Sequence, residues 1–252
     1  MRLLLLICTL LEPTLSVHEQ KSPVMFAVLL PDDNIRPFSM RKVLPAIQIA
    51  VEKVRSPSGL LPGFEIEINY ADSKCSGADA MNEAINFYVR NKSHLFLGPC
   101  CDYAAAPIGR QTKYWDTPMI TTAIARDFTI EKISKYPMVT RVWATINKMA
   151  EFFSILFNEF SWRQVKIIYE PKGLDMYLEH MCHVTAESLH FVLTDTYDLN
   201  VPYYKFESTL EILGKMEEQI GLKDASEYLG VVPVNLKFFF LCSYCCHLFS
   251  KC

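Results

Sequence analysis

Short apolar runs alternate with stretches of helical period along most of this chain, and that alternation narrows the fold more than any other property of the sequence. Val24 to Leu30 (VMFAVLL) is an unbroken run of strand formers ending at Pro31. A run with no polar partner suits a strand buried on both faces, as in a parallel sheet. Arg41 to Arg55 then carries Val43, Leu44, Ile47, Val51 and Val54 at helical spacing, and Ser56-Pro57-Ser58-Gly59 stops it. Phe64 to Tyr70 alternates apolar and polar residues, which predicts a strand with one exposed face. The same reading predicts helices over 78–89 and 103–115 and strands over 95–97 and 118–121. Strands and helices in this order predict an α/β fold, a parallel sheet with helices on both faces.

The pattern restarts with an amphipathic helix over 144–160. After it come a predicted strand at Gln164 to Tyr169, a helix at Asp175 to Leu189, a strand at Phe191 to Thr194 and a helix at Tyr204 to Ile220. The chain thus divides into a first lobe over 17–143 and a second, similar lobe over 144–227. The second offers about two strands, and an open doubly wound sheet usually has about four to six, so it is expected to be incomplete. Residues 228–252 are apolar, aperiodic and dense in cysteine. Pro233, Asn235 and Lys237 interrupt a membrane-span reading, and a tail foreign to the fold is preferred.

The first 16 residues read as a secretory signal peptide. Arg2 precedes an apolar core from Leu3 to Leu11, and Thr14 and Ser16 stand at the positions before cleavage. The alternatives are a buried first strand and a membrane anchor, for which the run is short. Secretion places the remaining cysteines in an oxidising compartment, and Asn91-Lys92-Ser93 is a glycosylation sequon on Asn91. A net charge of -3 without a basic run gives no footprint for nucleic acid. No phosphate-binding glycine loop, Gly-x-Ser-x-Gly or His-Glu-x-x-His motif occurs, so no catalytic residues are assigned. Cys242-x-x-Cys245-Cys246-His247 has zinc-like spacing but lacks a second paired motif, and no metal site is expected.

The segment Leu97-Gly98-Pro99-Cys100-Cys101-Asp102-Tyr103-Ala104-Ala105-Ala106-Pro107-Ile108-Gly109-Arg110 reads as a strand end, a Gly-Pro turn and a helix N-terminus, with Asp102 as the expected N-cap. Ligands of open α/β sheets sit beyond the carboxyl ends of the strands, so a site is expected at this loop. It resembles the Gly-Pro-x-Cys-x-Tyr-Ala-Ala-Ala-Pro loop of the natriuretic peptide receptors. Leu44-Pro45-Ala46-Ile47, Leu60-Leu61-Pro62-Gly63, Tyr114-Trp115-Asp116-Thr117-Pro118-Met119, Thr140-Arg141-Val142 and Ser161-Trp162 extend the resemblance from about Val24 to about Leu199.

The resemblance implies a two-lobed fold of the periplasmic-binding-protein type I kind and the extracellular part of a peptide-hormone receptor. It implies a disulfide between Cys75 and Cys101, with Cys100 a competing partner; such a bridge closes a loop of about 25 residues and contributes roughly 3 kcal/mol. It implies a chloride held by Ser73 and the amides of Cys100 and Cys101, and no other cofactor. Hormone contacts fall on Tyr103, Arg110, Tyr169 and Glu187, and a homodimer patch on Tyr114 and Trp115. Binding would rotate one ectodomain against the other, with no chemistry in this part, and membrane attachment would need a spanning segment in a longer form. Cys182 resembles the first cysteine of a second-lobe disulfide and is expected to be orphaned, although Cys242 could imitate its partner. His183, Val184 and His190 stand where the family has aromatic residues. Two other readings stay open: a small-molecule sensor using Thr121 and Thr122 in the cleft, and a truncated decoy or splice product.

Overall fold

The computed structural model describes residues 22–161, 164–172, 175–206 and 236–240. The expected signal peptide, Trp162, the end of the helix expected at Tyr204 to Ile220, and the tail residues Cys242, Cys245, Cys246 and His247 lie outside the described residues. In the first lobe the elements run β1 (Val24–Leu30), α1 (Met40–Arg55), β2 (Ile66–Asp72), α2 (Gly77–Val89), β3 (Leu95–Leu97), α3 (Asp102–Trp115), β4 (Met119–Thr121), α4 (Asp127–Ile130) and β5 (Val139–Arg141). The second lobe has α5 (Ile146–Glu159), β6 (Gln164–Tyr169), α6 (Met181–Tyr197), β7 (Tyr203–Lys205) and β8 (Leu236–Phe240).

The first sheet is parallel, in the order β2-β1-β3-β4-β5. Strand β1 is inside it, with Val28 opposite Tyr70 on one side and Leu97 on the other. That position explains its composition, because both faces of an inner strand meet helices. Ala27 and Leu29 point to a core shared with Ala80, Ala84, Ala104, Ala105 and Ile108 of α2 and α3. Val28 and Leu30 point the other way, onto Met40, Val43, Leu44 and Ile47 of α1. The alanines let α2 and α3 pack close to each other and to the sheet. Gly109 serves the same end, since a Cβ there would stand 2.9 Å from Val139 Cγ2 and 3.2 Å from Tyr136.

The second sheet is also parallel, in the order β7-β6-β8. Its core joins Ile146, Ala150, Phe153 and Phe157 of α5 to Val165 and Ile167 of β6 and to Ala186, Leu189 and Val192 of α6. The structure corrects several expectations here. Phe191 to Thr194 is not a strand: α6 continues through it to Tyr197, burying Cys182, Thr185, Ala186, Leu189, Val192 and Leu193 at spacings of three and four. A short apolar run fits either structure, and the helical stripe already begun at Cys182 decides it. The preceding helix starts at Met181 rather than Asp175, because residues before it form turns and His180 is left-handed, at φ 53°. Tyr204 and Lys205, placed at the start of a helix, belong instead to β7, which pairs with Ile167 to Tyr169. Leu236 to Phe240, expected to stand apart from the fold, lies parallel to β6 as β8. The short α4 and β5 were not predicted; four- and three-residue elements carry too little periodicity to be seen.

Candidate functional site

Strand order in the first sheet reverses direction between β1 and β3, and the crevice between their carboxyl ends is where open α/β sheets take ligands. Two loops meet there. After β2, the Asp72 carboxylate accepts from the Asp32 amide at 2.9 Å and the Lys74 amide at 2.8 Å, while the Ser73 amide donates to Leu30 O at 3.0 Å. Lys74 and Cys75 follow with φ of 48° and 57°, a left-handed turn that points Cys75 back toward the sheet. After β3, Gly98 takes φ 85° where a Cβ would stand 2.2 Å from Leu29 O, so only glycine fits. The Gly98–Pro99 bond is cis.

These turns bring Cys75 and Cys101 to a Cα separation of 5.5 Å, joined as a disulfide. Cys100 is left as a buried free thiol, 3.8 Å from Cys101 Sγ, and burial pushes it up to about 12. The choice between adjacent cysteines is thereby settled for Cys101. Cys182, expected to be orphaned, is disulfide-bonded. The orphan expectation rested on a tail foreign to this lobe, and β8 removes that premise.

Asp102 is not the N-cap of α3; Cys101 is, and Asp102 opens the helix. Its carboxylate instead accepts from the amides of Ile124 and Ala125, both at 2.8 Å. Burial pushes Asp102 up to about 6, against the pull of those two amides and of the nearby Arg141 guanidinium. These two bonds hold the 124–126 segment, where the first lobe touches the second. Ile124 packs on the second core, and Arg126 reaches Asp195 at 3.4 Å and lies 4.5 Å over the Phe191 ring.

Beside this junction the expected contact residues fall into one interlobe cluster, Arg110 excepted. Tyr103, exposed on the first turn of α3, meets His180 edge-on at 5.1 Å between ring centroids. Burial, then the charges of Glu187, Glu179 and Asp102, raise its phenol, which places it in the field of second-lobe carboxylates. Glu187 lies one turn along α6 from His183, at 3.8 Å, and His183 Nδ1 meets the Tyr169 hydroxyl at 2.9 Å. Tyr169 was expected to contact the hormone, but it is 2% exposed and its ring belongs to the second core. Burial, with Tyr203 and Glu187 nearby, pushes its phenol up to about 12, so it keeps its proton at neutral pH. Arg110 sits two helical turns from Tyr103, about 10 Å along the axis, and its Nε donates to the Tyr136 hydroxyl at 3.0 Å. Sequence reasoning noticed His183 only as a substituted aromatic and passed over His180; the i,i+4 spacing of His183 and Glu187 was the available signal.

The remaining site residues are dispersed. Ser73 is fully buried and its hydroxyl accepts from the Cys75 amide at 3.4 Å. Tyr114 is 75% exposed, whereas Trp115 is half-buried, stacked on Tyr88 at 4.6 Å and packed against Phe96. Asn91 is exposed at the left-handed position after α2, with its amide bonded to Tyr88 O and that of Lys92 to Phe87 O, a Schellman end. Thr121 is buried, donating to Pro99 O at 2.5 Å and accepting from the Ala123 amide, so its hydroxyl is already engaged. The cavity of about 160 Å³ that Thr121 and Thr122 border is otherwise lined by Leu30, Phe38, Leu97 and Val142 among others, without a charged residue. That lining does not suit an amino-acid zwitterion.

Residues 42–201 match the family described as "Receptor family ligand binding region". The chain is 34% identical over 213 residues to atrial natriuretic peptide receptor 3 of Homo sapiens, covering 81% of this chain and 38% of the relative. It is 34% identical over 193 residues to the Mus musculus counterpart, with 73% and 35% covered. Over 145 residues it is 30% identical to atrial natriuretic peptide receptor 2 of Anguilla japonica, with 55% and 14% covered. The chain thus spans well under half the length of these relatives. No helix among the described residues is long and apolar enough to cross a membrane.

Proposed function

The chain belongs to the receptor family of ligand-binding regions, in its natriuretic peptide receptor branch, and from that premise we propose that it binds a peptide hormone on the extracellular side of the secretory route. One observation carries this reading: Tyr103 of the first lobe and His180, His183 and Glu187 of the second converge at the loop after β3. An exposed aromatic ring beside a carboxylate suits a cationic peptide ligand, the ring taking its apolar surface and the carboxylate its charge. Arg110, exposed farther along α3, extends the surface toward ligand carbonyls.

Signalling is proposed to pass through a homodimer. Tyr114, with Tyr88 and Val89 exposed beside it, gives the α2–α3 face an apolar patch of the kind that partners cover. Rearrangement of the two copies would transmit binding, and the segment is a sensor without chemistry of its own. Ser73 and the amides of Cys100 and Cys101 fit a chloride: the Ser73 hydroxyl accepts from Cys75 and keeps its own proton to donate, beside the N-terminus of α3. A bound chloride would supply a fixed negative charge at that turn.

The test is calorimetric titration of the secreted chain with a disulfide-closed natriuretic-type ring peptide and, separately, with free amino acids. Saturable peptide binding without amino-acid binding is expected. Amino-acid binding abolished by Thr122→Ala, with no peptide binding, would move the chain to the small-molecule class.

A further inference from the structure

Tyr169, His183 and Glu187 form a line of contacts from a buried ring to a partly exposed carboxylate. His183 Nε2 faces the Glu187 carboxylate, an acceptor, at 3.8 Å, and Nδ1 faces a hydroxyl that can donate, so the Nε2–H tautomer suits both neighbours of the ring. Nδ1 then bears the lone pair and accepts from the Tyr169 hydroxyl at 2.9 Å. That hydroxyl stands on a buried ring, stacked on His183 at 6.0 Å and set beside Tyr203 at 6.2 Å, so it is a fixed anchor. On its other side His183 meets a carboxylate that is 44% exposed and close enough to Tyr103 to raise that phenol. His183 therefore connects a rigid strand residue to the exposed carboxylate of the interlobe site.

We propose that His183 is a positioning and specificity-determining residue of that site: neutral and anchored by Tyr169, it presents Glu187 to a cationic side chain of the bound peptide, and protonated it takes Glu187 as its own counter-ion. The inference rests on the reading of the chain as a peptide-binding region. A proton taken from solvent goes to Nδ1, which then donates to the Tyr169 oxygen. The imidazolium now faces Glu187, whose charge is met internally rather than by the ligand. The other titratable groups around His183 are Tyr203 behind Tyr169, Tyr103 across from α3, and His180, Glu179 and Asp175 in the preceding turn. His180 lies within 4.0 Å of Asp175 and 3.8 Å of Glu179, so its protonation acts in the same sense. Imidazoles as a class change charge between about pH 5 and 8. His183 and Glu187 are each more than a third exposed, so solvent screens the coupling and the effect of the pair on affinity is roughly threefold.

Two measurements test this. The first needs no ligand: nitrogen NMR of labelled histidine at pH 8 should find His183 as the Nε2–H tautomer, and Tyr169→Phe should convert it to a mixture. The second titrates an arginine-bearing, disulfide-closed ring peptide at pH 7.5 and 5.5. Wild-type affinity should fall on acidification. His183→Gln, whose amide still accepts from Tyr169 but cannot charge, should remove roughly threefold of that fall, Glu187→Gln should remove the same part, and the double variant no more. A wild-type pH profile in His183→Gln, or an unchanged tautomer in Tyr169→Phe, overturns the proposal. If the peptide binds at neither pH, the peptide-binding reading fails by itself, and mixed tautomers in the wild type would then refute the anchoring by Tyr169.

Discussion

Asp102→Asn should make the protein more stable at neutral pH and leave it unchanged in acid. The Asp102 carboxylate accepts two amide hydrogen bonds that an asparagine carbonyl can also accept, so the substitution removes a charge and keeps the geometry. Burial raises the folded-state value from the 3.8 of a free aspartate to about 6. A carboxyl raised in this way binds its proton more tightly folded than unfolded. Its contribution is therefore most favourable below about pH 4 and declines as pH rises toward 6, then levels off. A displacement of about two units corresponds to about 3 kcal/mol. The assay is urea unfolding at pH 4, 5, 6 and 7.5, followed by the fluorescence of Trp115, which packs against the first core. The stability of Asp102→Asn minus that of wild type should rise by about 1.4 kcal/mol per pH unit between 4 and 6 and then stay flat. A difference that is constant across the range would refute the buried charge. Asp102→Ala is the control: it leaves the Ile124 and Ala125 amides without their acceptor and should destabilise by about 1–3 kcal/mol at neutral pH.

Cys75→Ser should lower stability by about 3 kcal/mol in chemical denaturation, since it opens the loop closed by Cys101; an unchanged midpoint would contradict the bridge. Cys100, buried and held protonated well above neutrality, should resist iodoacetamide at pH 8 in the folded protein and react once urea unfolds it. Rapid labelling of the native state would show the thiol to be accessible. Asn91, exposed at the end of α2, should carry glycan when the chain is made in a secreting cell, and glycosidase treatment followed by peptide mass measurement would detect it or its absence.

The first lobe was readable from sequence because its signals are long or chemically sharp. A seven-residue apolar strand inside the sheet, helices with clear stripes, and a Gly-Pro turn before α3 each point one way. The second lobe was harder for physical reasons. In α6 the run Phe191-Val192-Leu193-Thr194 has strand composition, yet the helix is fixed by burial of residues three and four apart over its whole length. β7 has only three residues, and its tyrosines also fit a helix start. At the site, Tyr103 and Glu187 were named from resemblance alone, and only the tertiary arrangement reveals that His180 and His183 link them. Asp102 was assigned to its own helix terminus, while its partners, Ile124 and Ala125, lie 22 and 23 residues away. Such long-range bonds leave no local trace in the sequence.

The central claim is that a peptide is gripped by both lobes at once, through Tyr103 on α3 and Glu187 on α6. A double-mutant cycle tests it most directly: the ring peptide is titrated against wild type, Tyr103→Ala, Glu187→Gln and the double variant at pH 7.5. Each single substitution should weaken binding at least several-fold, and the double variant should lose less than the two losses combined, because both residues contact one ligand in one cluster. Unchanged affinity in both single variants would contradict the shared interlobe site.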